Sequence, residues 1–208
     1  ARLEVVAMDA TATLMNHIEQ PMPYPNQPDN IVAMQMFARY GIVATPVTVF
    51  PVPMTRTMLD TQTTVRAPDI RYLRRAARLH GHELYVQPEP LSGLDVAHFH
   101  PPFTALPTQG VLSTDFGAAT NMSGFHVTYD TLRPTMALGV AVDARTKAPV
   151  PAVVPVASEP PMGLEPALLR VLPPAITRPL MCNAANPAEA LLQARSLANR
   201  SSRALKAS

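Results

Sequence analysis

The chain has 208 residues, 47% of them hydrophobic and only 15% charged, with a net charge of +2 and 24 prolines. This composition can bury a core and excludes disorder along the whole length, which requires high net charge and few apolar residues; the net charge is too small to imply a nucleic-acid footprint on its own. Low charge with abundant proline is the composition of irregular, partly buried surface, as in a subunit of a larger assembly.

Cys182 is the only cysteine, so neither an intrachain disulfide nor a Cys-based zinc site can form. Arginine carries the positive charge, with lysine only at Lys147 and Lys206. No run of about 18 apolar residues occurs, which excludes an ordinary helical membrane span; the greasiest stretch, APVPAVVPVA, is cut by prolines. The sequence opens at Ala1 inside an expected strand and stops at ALKAS where a helix is ending, which reads as a segment of a longer protein.

Taken in order, ARLEVVAMDATATLM alternates in part and predicts a strand or a bent pair of strands. QPMPYPNQP, residues 20–28, is a loop or extended arm. Asp29 is placed to cap a helix with the apolar stripe Ile31, Met34 and Phe37/Ala38, stopped at Gly41. IVATPVTVFPV is β-rich but broken by Pro46 and Pro51, the mark of an edge strand.

The segment IRYLRRAARLHGHELYV predicts a second helix, a stop and a strand. Pro68 suits the first helical position and Asp69 complements the positive end of the dipole. Ile70, Leu73 and Ala77 fall on one face, Gly81 ends the helix, and Leu84 with Val86 faces the same core. PLSG is a turn and LDVAHFH a further short strand. From residue 110 onward the sequence predicts two or three long strands of a sheet or barrel, then a proline-rich connection. Asn186 caps a last helix, with Pro187 in its first turn and Leu191, Ala194 and Leu197/Ala198 as its stripe.

The candidate chemistry is thin. Arg71, Arg74, Arg75 and Arg78 share a helix surface that could meet phosphates, but no lysine or interleaved aromatic pattern joins them. A solvated or subunit-facing surface is the better reading. The histidines form two pairs, His80/His82 and His98/His100. His98 and His100 share a strand face, which is how His-x-His supplies two metal ligands. No Glu or third His follows before Pro101 and Pro102 break the strand, so no metal is expected. Ser92 and Ser123 lack a nucleophile-elbow context, Cys182 lacks a partner, and His126 near Asp130 faces no nucleophile. There is no phosphate loop or dinucleotide fingerprint.

Three segments together resemble the phage late control gene D protein family, the baseplate hubs of contractile phage tails and related injection systems. TVRAPDIRYLRRAARLHGHELYV is similar to the family's helix reading "fLrrLA", its glycine and its "yefyv" strand. LSTDFGAATNMSGFHVTYDTLRPTMALGVAVDARTK resembles the strand segment that follows, and NPAEALLQARSLANRSSRALKAS the Ala-rich helix leading to further barrel strands. VVAMDATATLM is similar to the strand leaving the first barrel.

The resemblance covers nearly the whole chain and implies an α+β fold: tail-tube-like β-barrel strands, an inserted small α/β domain and a C-terminal helix. The implied divisions are 1–19 (truncated end of a first barrel), 20–105 (α/β domain), 106–150 (second-barrel strands), 151–185 (proline-rich connection or arm) and 186–208 (helix returning to the barrel, truncated). It implies a structural hub, commonly a homotrimer, that joins the tail tube protein to the central spike among other baseplate subunits. The expected location is the particle, assembled in the bacterial cytoplasm. No catalytic residue, cofactor, nucleic-acid sequence recognition or stable membrane span is expected. The alternative is a small-barrel, His-dependent metalloenzyme, in which His98 and His100 would converge with a carboxylate.

Overall fold

The computed structural model describes residues 8, 10–16, 22–54, 64–65, 67–103, 110–130, 132–143, 146–161, 165, 176–179, 186–203 and 205–207. The strand expected in residues 1–7, Cys182 and much of the 151–185 region lie outside the described residues. The chain is α+β.

Ala10–Thr13 forms α1, a single helical turn, which corrects the strand predicted through residue 15. The alternation of Leu3, Val5 and Ala7 does not continue into Ala-Thr-Ala-Thr, which has no large apolar side chain to hold a sheet position. Met22–Pro23 (β1) lies in the proline-rich arm. Next comes α2, Asp29–Arg39, which buries Val32, Ala33, Met36 and Phe37. Phe37 of the predicted stripe is buried and Met34 partly so, but the inner face is rotated away from the rest of it, since Ile31 is 38% exposed and Ala38 is exposed. IVAMQMFA is apolar almost all round, so helical period alone cannot choose its inner face. Asp29 is not the cap either: Pro28 holds that position. The Asp29 carboxylate instead accepts hydrogen bonds from Tyr72 at 2.6 Å and His80 at 2.8 Å.

Residues 42–52 run beside a later strand with two single parallel bridges, Val43 to Val96 and Val49 to Phe99, in place of a continuous edge strand. A tight turn with Thr48 N–H donating to Thr45 C=O at 3.0 Å separates the bridges, and Pro46 within it cannot donate to a ladder. Thr64–Val65 (β2) then pairs antiparallel with β1.

Asp69–His80 forms α3, entered through Pro68 and closed by Gly81 at φ 72°. That left-handed conformation would strain any residue bearing a Cβ. The strands β3 (Glu83–Pro88) and β4 (Asp95–His100) form an antiparallel hairpin with Leu84 opposite Phe99 and Val86 opposite Ala97. Its inner face packs with Phe37, Ile70 and Leu73 into the main core. Each such side chain contributes about 1.5–3 kcal/mol when fully buried.

After residue 110 the chain is irregular up to residue 126, apart from a 3-10 turn at Gly117–Ala119. The strands β5 (Val127–Tyr129), β6 (Thr135–Val142), β7 (Pro149–Val154) and β8 (Ile176–Pro179) follow. Of the two or three long strands predicted from residue 110 onward, β6 is one and β7 lies at the end of the same stretch. β8 corrects the reading of 151–185 as only a connection or arm. β6 is the centre of a sheet ordered β7-β6-β8, antiparallel to β7 and parallel to β8. Pro149 and Pro151 are tolerated because β7 is an edge strand, and residues two apart point their missing N–H to the same, open side.

The last helix, α4, spans Pro187–Ser202, and its Asn186 cap accepts a hydrogen bond from Glu189 N–H at 2.9 Å. It buries Ala190, Ala194 and Ala198, while Leu191 is 38% exposed, which corrects the leucine in the predicted stripe. The helix ends before residue 208, because Leu205–Ala207 (β9) turns away to pair antiparallel with β5. Among the described residues the strands make four small sheets and no closed barrel.

Candidate functional site

The helix–strand unit singled out in the sequence is the anchor of the main core. Ile70 is 2% exposed, Leu73 0% and Ala77 5%; Gly81 makes the stop, and Leu84 is partly buried against the same cluster. Arg71, Arg74, Arg75 and Arg78 all stand on the opposite, exposed side. Asp69, at the helix start, is buried and bonds to Tyr40 Oη at 3.0 Å with Arg39 3.4 Å away. Burial, then the hydrogen bond to Asp69, pushes the Tyr40 phenol up to about 12. This hydrogen-bonded group ties α2 to α3.

His98 and His100 lie on the outer face of the hairpin, their rings 5.7 Å apart and nearly perpendicular. His98 stacks on Tyr85 at 4.5 Å, and His100 stacks on Phe103 at 4.4 Å. His100 is only 3% exposed. Its Nδ1 is 2.8 Å from the Pro101 carbonyl and its Nε2 is 3.2 Å from the Tyr85 hydroxyl. A carbonyl can only accept, so Nδ1 carries the hydrogen, and in the neutral ring Nε2 accepts from Tyr85. Both nitrogens are therefore engaged, and a metal would have to displace the tyrosine. Burial, and then the neighbouring His100, lowers the His98 pKa from its ordinary value. Among the described residues, no three His, Cys, Asp or Glu side chains gather in a way that could hold a metal ion.

The other pair lies at the end of α3. His80 is held by Asp29, and His82 packs edge-on against Phe99 at 4.8 Å. The Nδ1 of His82 is buried with no hydrogen-bond partner. Burial first, then the nearby His80 and His100, pushes its pKa down to about 4. The second pair thus serves packing and the tie to Asp29. Ser92 bonds to Glu89, and His126 and Asp130 are both exposed.

The feature missed in the sequence is the outer face of β6 and β7. Ala137, Gly139 and Ala141 face α4, while Leu138, Val140 and Val142 face out at 45%, 60% and 56% exposure. Across the ladder, Val153 stands opposite Leu138, Pro151 opposite Val140 and Pro149 opposite Val142. The result is an uncharged apolar outer face, with Ala137, Gly139, Ala141 and Ala152 inward beside Val154. The signal that could reveal it is the match between the Ala190, Ala194, Ala198 spacing and the alternate small residues of TMALGVAV. Such a helix approaches the sheet closely only if both surfaces are small.

Arg203 joins the two halves, 3.6 Å from Glu83 of β3 and 3.4 Å from Glu159 after β7. Ser196 of α4 donates to the carbonyl of Arg78 in the last turn of α3. No helix among the described residues is long and apolar enough to cross a membrane. Neither a family model nor a curated protein matches the chain.

Proposed function

We propose that the chain is a structural assembly subunit, a baseplate hub of a contractile phage tail or related injection system. In this reading it forms a ring, with three copies, that joins the tail tube to the central spike. The strands beyond residue 110 then belong to a tail-tube-like barrel, and the α/β unit of α2, α3, β3 and β4 is the inserted domain. The protein is assembled in the bacterial cytoplasm and ends in the particle.

The observation that carries this reading is the outward apolar face of Leu138, Val140, Val142 and Val153. Contiguous apolar surface of this kind marks a contact with another protein surface more often than a solvated wall. The absence of charge from both TMALGVAV and PVPAVV supports a dry, broad contact over a recognition site for a charged ligand. The engaged nitrogens of His100 support a structural role for the histidine face over a metalloenzyme. The test is sedimentation of the chain and of the Leu138→Asp/Val140→Asp variant. The hub reading expects a discrete oligomer for the first and a folded, smaller species for the second. A chain that stays monomeric with or without the changes would overturn it.

A further inference from the structure

The four arginines of α3 face outward. Arg71, Arg74, Arg75 and Arg78 are all exposed, and among the described residues no ion pair or hydrogen bond engages their side chains. At helical spacing each is a neighbour of two others, so the group repels itself, and no carboxylate among the described residues pairs with it. The patch extends about 10 Å along the axis, on a helix fixed by Leu73 and Ile70 in the core. With these four set aside from the 17 basic residues, thirteen remain against 15 acidic ones. The molecule is therefore a positive patch on a slightly negative remainder.

A matching surface lies at the tip of the β3–β4 hairpin. Glu89 is exposed and Asp95 half-buried, and neither carboxylate is in an ion pair. Between them Leu91 is 96% exposed and Leu94 53%. The tip is ordered by its own bonds: Glu89 N–H to Leu94 C=O at 2.9 Å, Gly93 N–H to Glu89 C=O at 2.9 Å, and Ser92 Oγ to Glu89 Oε2 at 2.7 Å. It is thus a preformed prong carrying two acids and two leucines, which lowers the ordering cost of binding.

We propose that these two surfaces meet between copies of the chain: the β3–β4 tip of one copy docks on the arginine face of α3 in the next. This rests on the assembly reading above and adds a specific copy-to-copy contact to it. The carboxylates take the forked guanidinium donors, which arginine presents and lysine does not. The leucines lie over the aliphatic stems of the arginines. In the ring of the assembly reading the contact runs head-to-tail, the type that closes when the rotation allows. Nucleic acid fits the patch less well, because the one tyrosine of α3, Tyr72, has its hydroxyl held by Asp29 and offers no free stacking platform beside the arginines.

The test is charge reversal with rescue, on the whole 208-residue chain. Association is measured by sedimentation velocity at low and high salt for Arg71→Glu/Arg75→Glu, for Glu89→Arg/Asp95→Arg and for the variant carrying all four changes. Circular dichroism checks that each is folded. Each double reversal is expected to weaken association about tenfold or more, and the fourfold variant to recover most of it. If Asp95→Arg disturbs the hairpin, Glu89→Arg/Leu91→Arg carries the same test at two exposed positions. A chain that assembles but ignores both reversals, or a folded fourfold variant without recovery, overturns this contact and leaves the assembly reading standing. A chain that is monomeric throughout overturns both. Loss of oligonucleotide retention in the arginine variant, with assembly unchanged, would assign the patch to nucleic acid and also overturn the contact.

Discussion

Leu138 and Val153 stand opposite each other across β6 and β7, 45% and 47% exposed, while Ala137 and Ala152 on the inner face are buried. The face of β6 toward α4 carries small residues, with Val154 of β7 beside them, and its larger residues point outward. The Leu138→Asp/Val140→Asp variant should therefore keep the stability of the chain within about 0.5 kcal/mol per site. Ala141→Leu, which pushes a large side chain into the narrow gap under α4, should cost about 1–3 kcal/mol. Denaturant midpoints at constant slope check both. The opposite order would mean that the sheet faces the other way.

The main core gives a second contrast. Leu73 has no exposed surface and sits among Phe37, Ile70 and Phe99. Leu73→Asp should abolish folding of the α/β unit, since an unpaired buried charge costs several kcal/mol. Arg71→Gln or Arg75→Gln should leave it folded, because neither side chain touches the core. Amide exchange of α3 and β3 distinguishes the two cases.

The elements with local punctuation are readable in the sequence. Pro68, Asp69 and Gly81 bracket α3, and its stripe is unambiguous because the other face is arginine. Asn186 and Pro187 mark the start of α4 in the same way. Where that contrast is missing, the sequence is silent or misleading. The apolar girth of α2 hides its inner face, and the choice falls to packing with its neighbours. Hydrophobicity alone assigns Leu138, Val140 and Val142 to a core, and only the alanine spacing of a helix some fifty residues later reverses that. The engagement of both His100 nitrogens depends on Tyr85 across the hairpin and on the following proline's carbonyl, a geometry with no sequence motif.

His82 supplies a pH dependence. Its pKa lies near 6.5 when unfolded and is pushed down to about 4 in the folded chain by burial and by His80 and His100. Below pH 6.5 the unfolded chain binds a proton that the folded chain refuses, so stability is full above that pH and falls as pH drops toward 4. Since water reaches part of the ring, the loss should be no more than about 2 kcal/mol. His98, lowered for the same first reason, acts in the same direction. Urea midpoints between pH 7 and pH 4 should fall for the natural chain and fall less for His82→Phe, which keeps the contact with Phe99 without a titrating nitrogen.

For the histidine face, zinc added to the purified chain should bind weakly and without stoichiometry, and His98→Ala/His100→Ala should not change this. Tight one-to-one zinc, iron or copper that disappears in the double variant would contradict the structural role assigned to these residues.

The central claim is that the chain works as an assembled ring subunit. The most direct measurement is the mass and symmetry of the particle in solution, by light scattering together with electron microscopy of the same fractions. The expected result is a closed cyclic particle of three copies that dissociates when Leu138 and Val140 are changed to Asp. A monomer at every accessible concentration, unchanged by those substitutions, would contradict it.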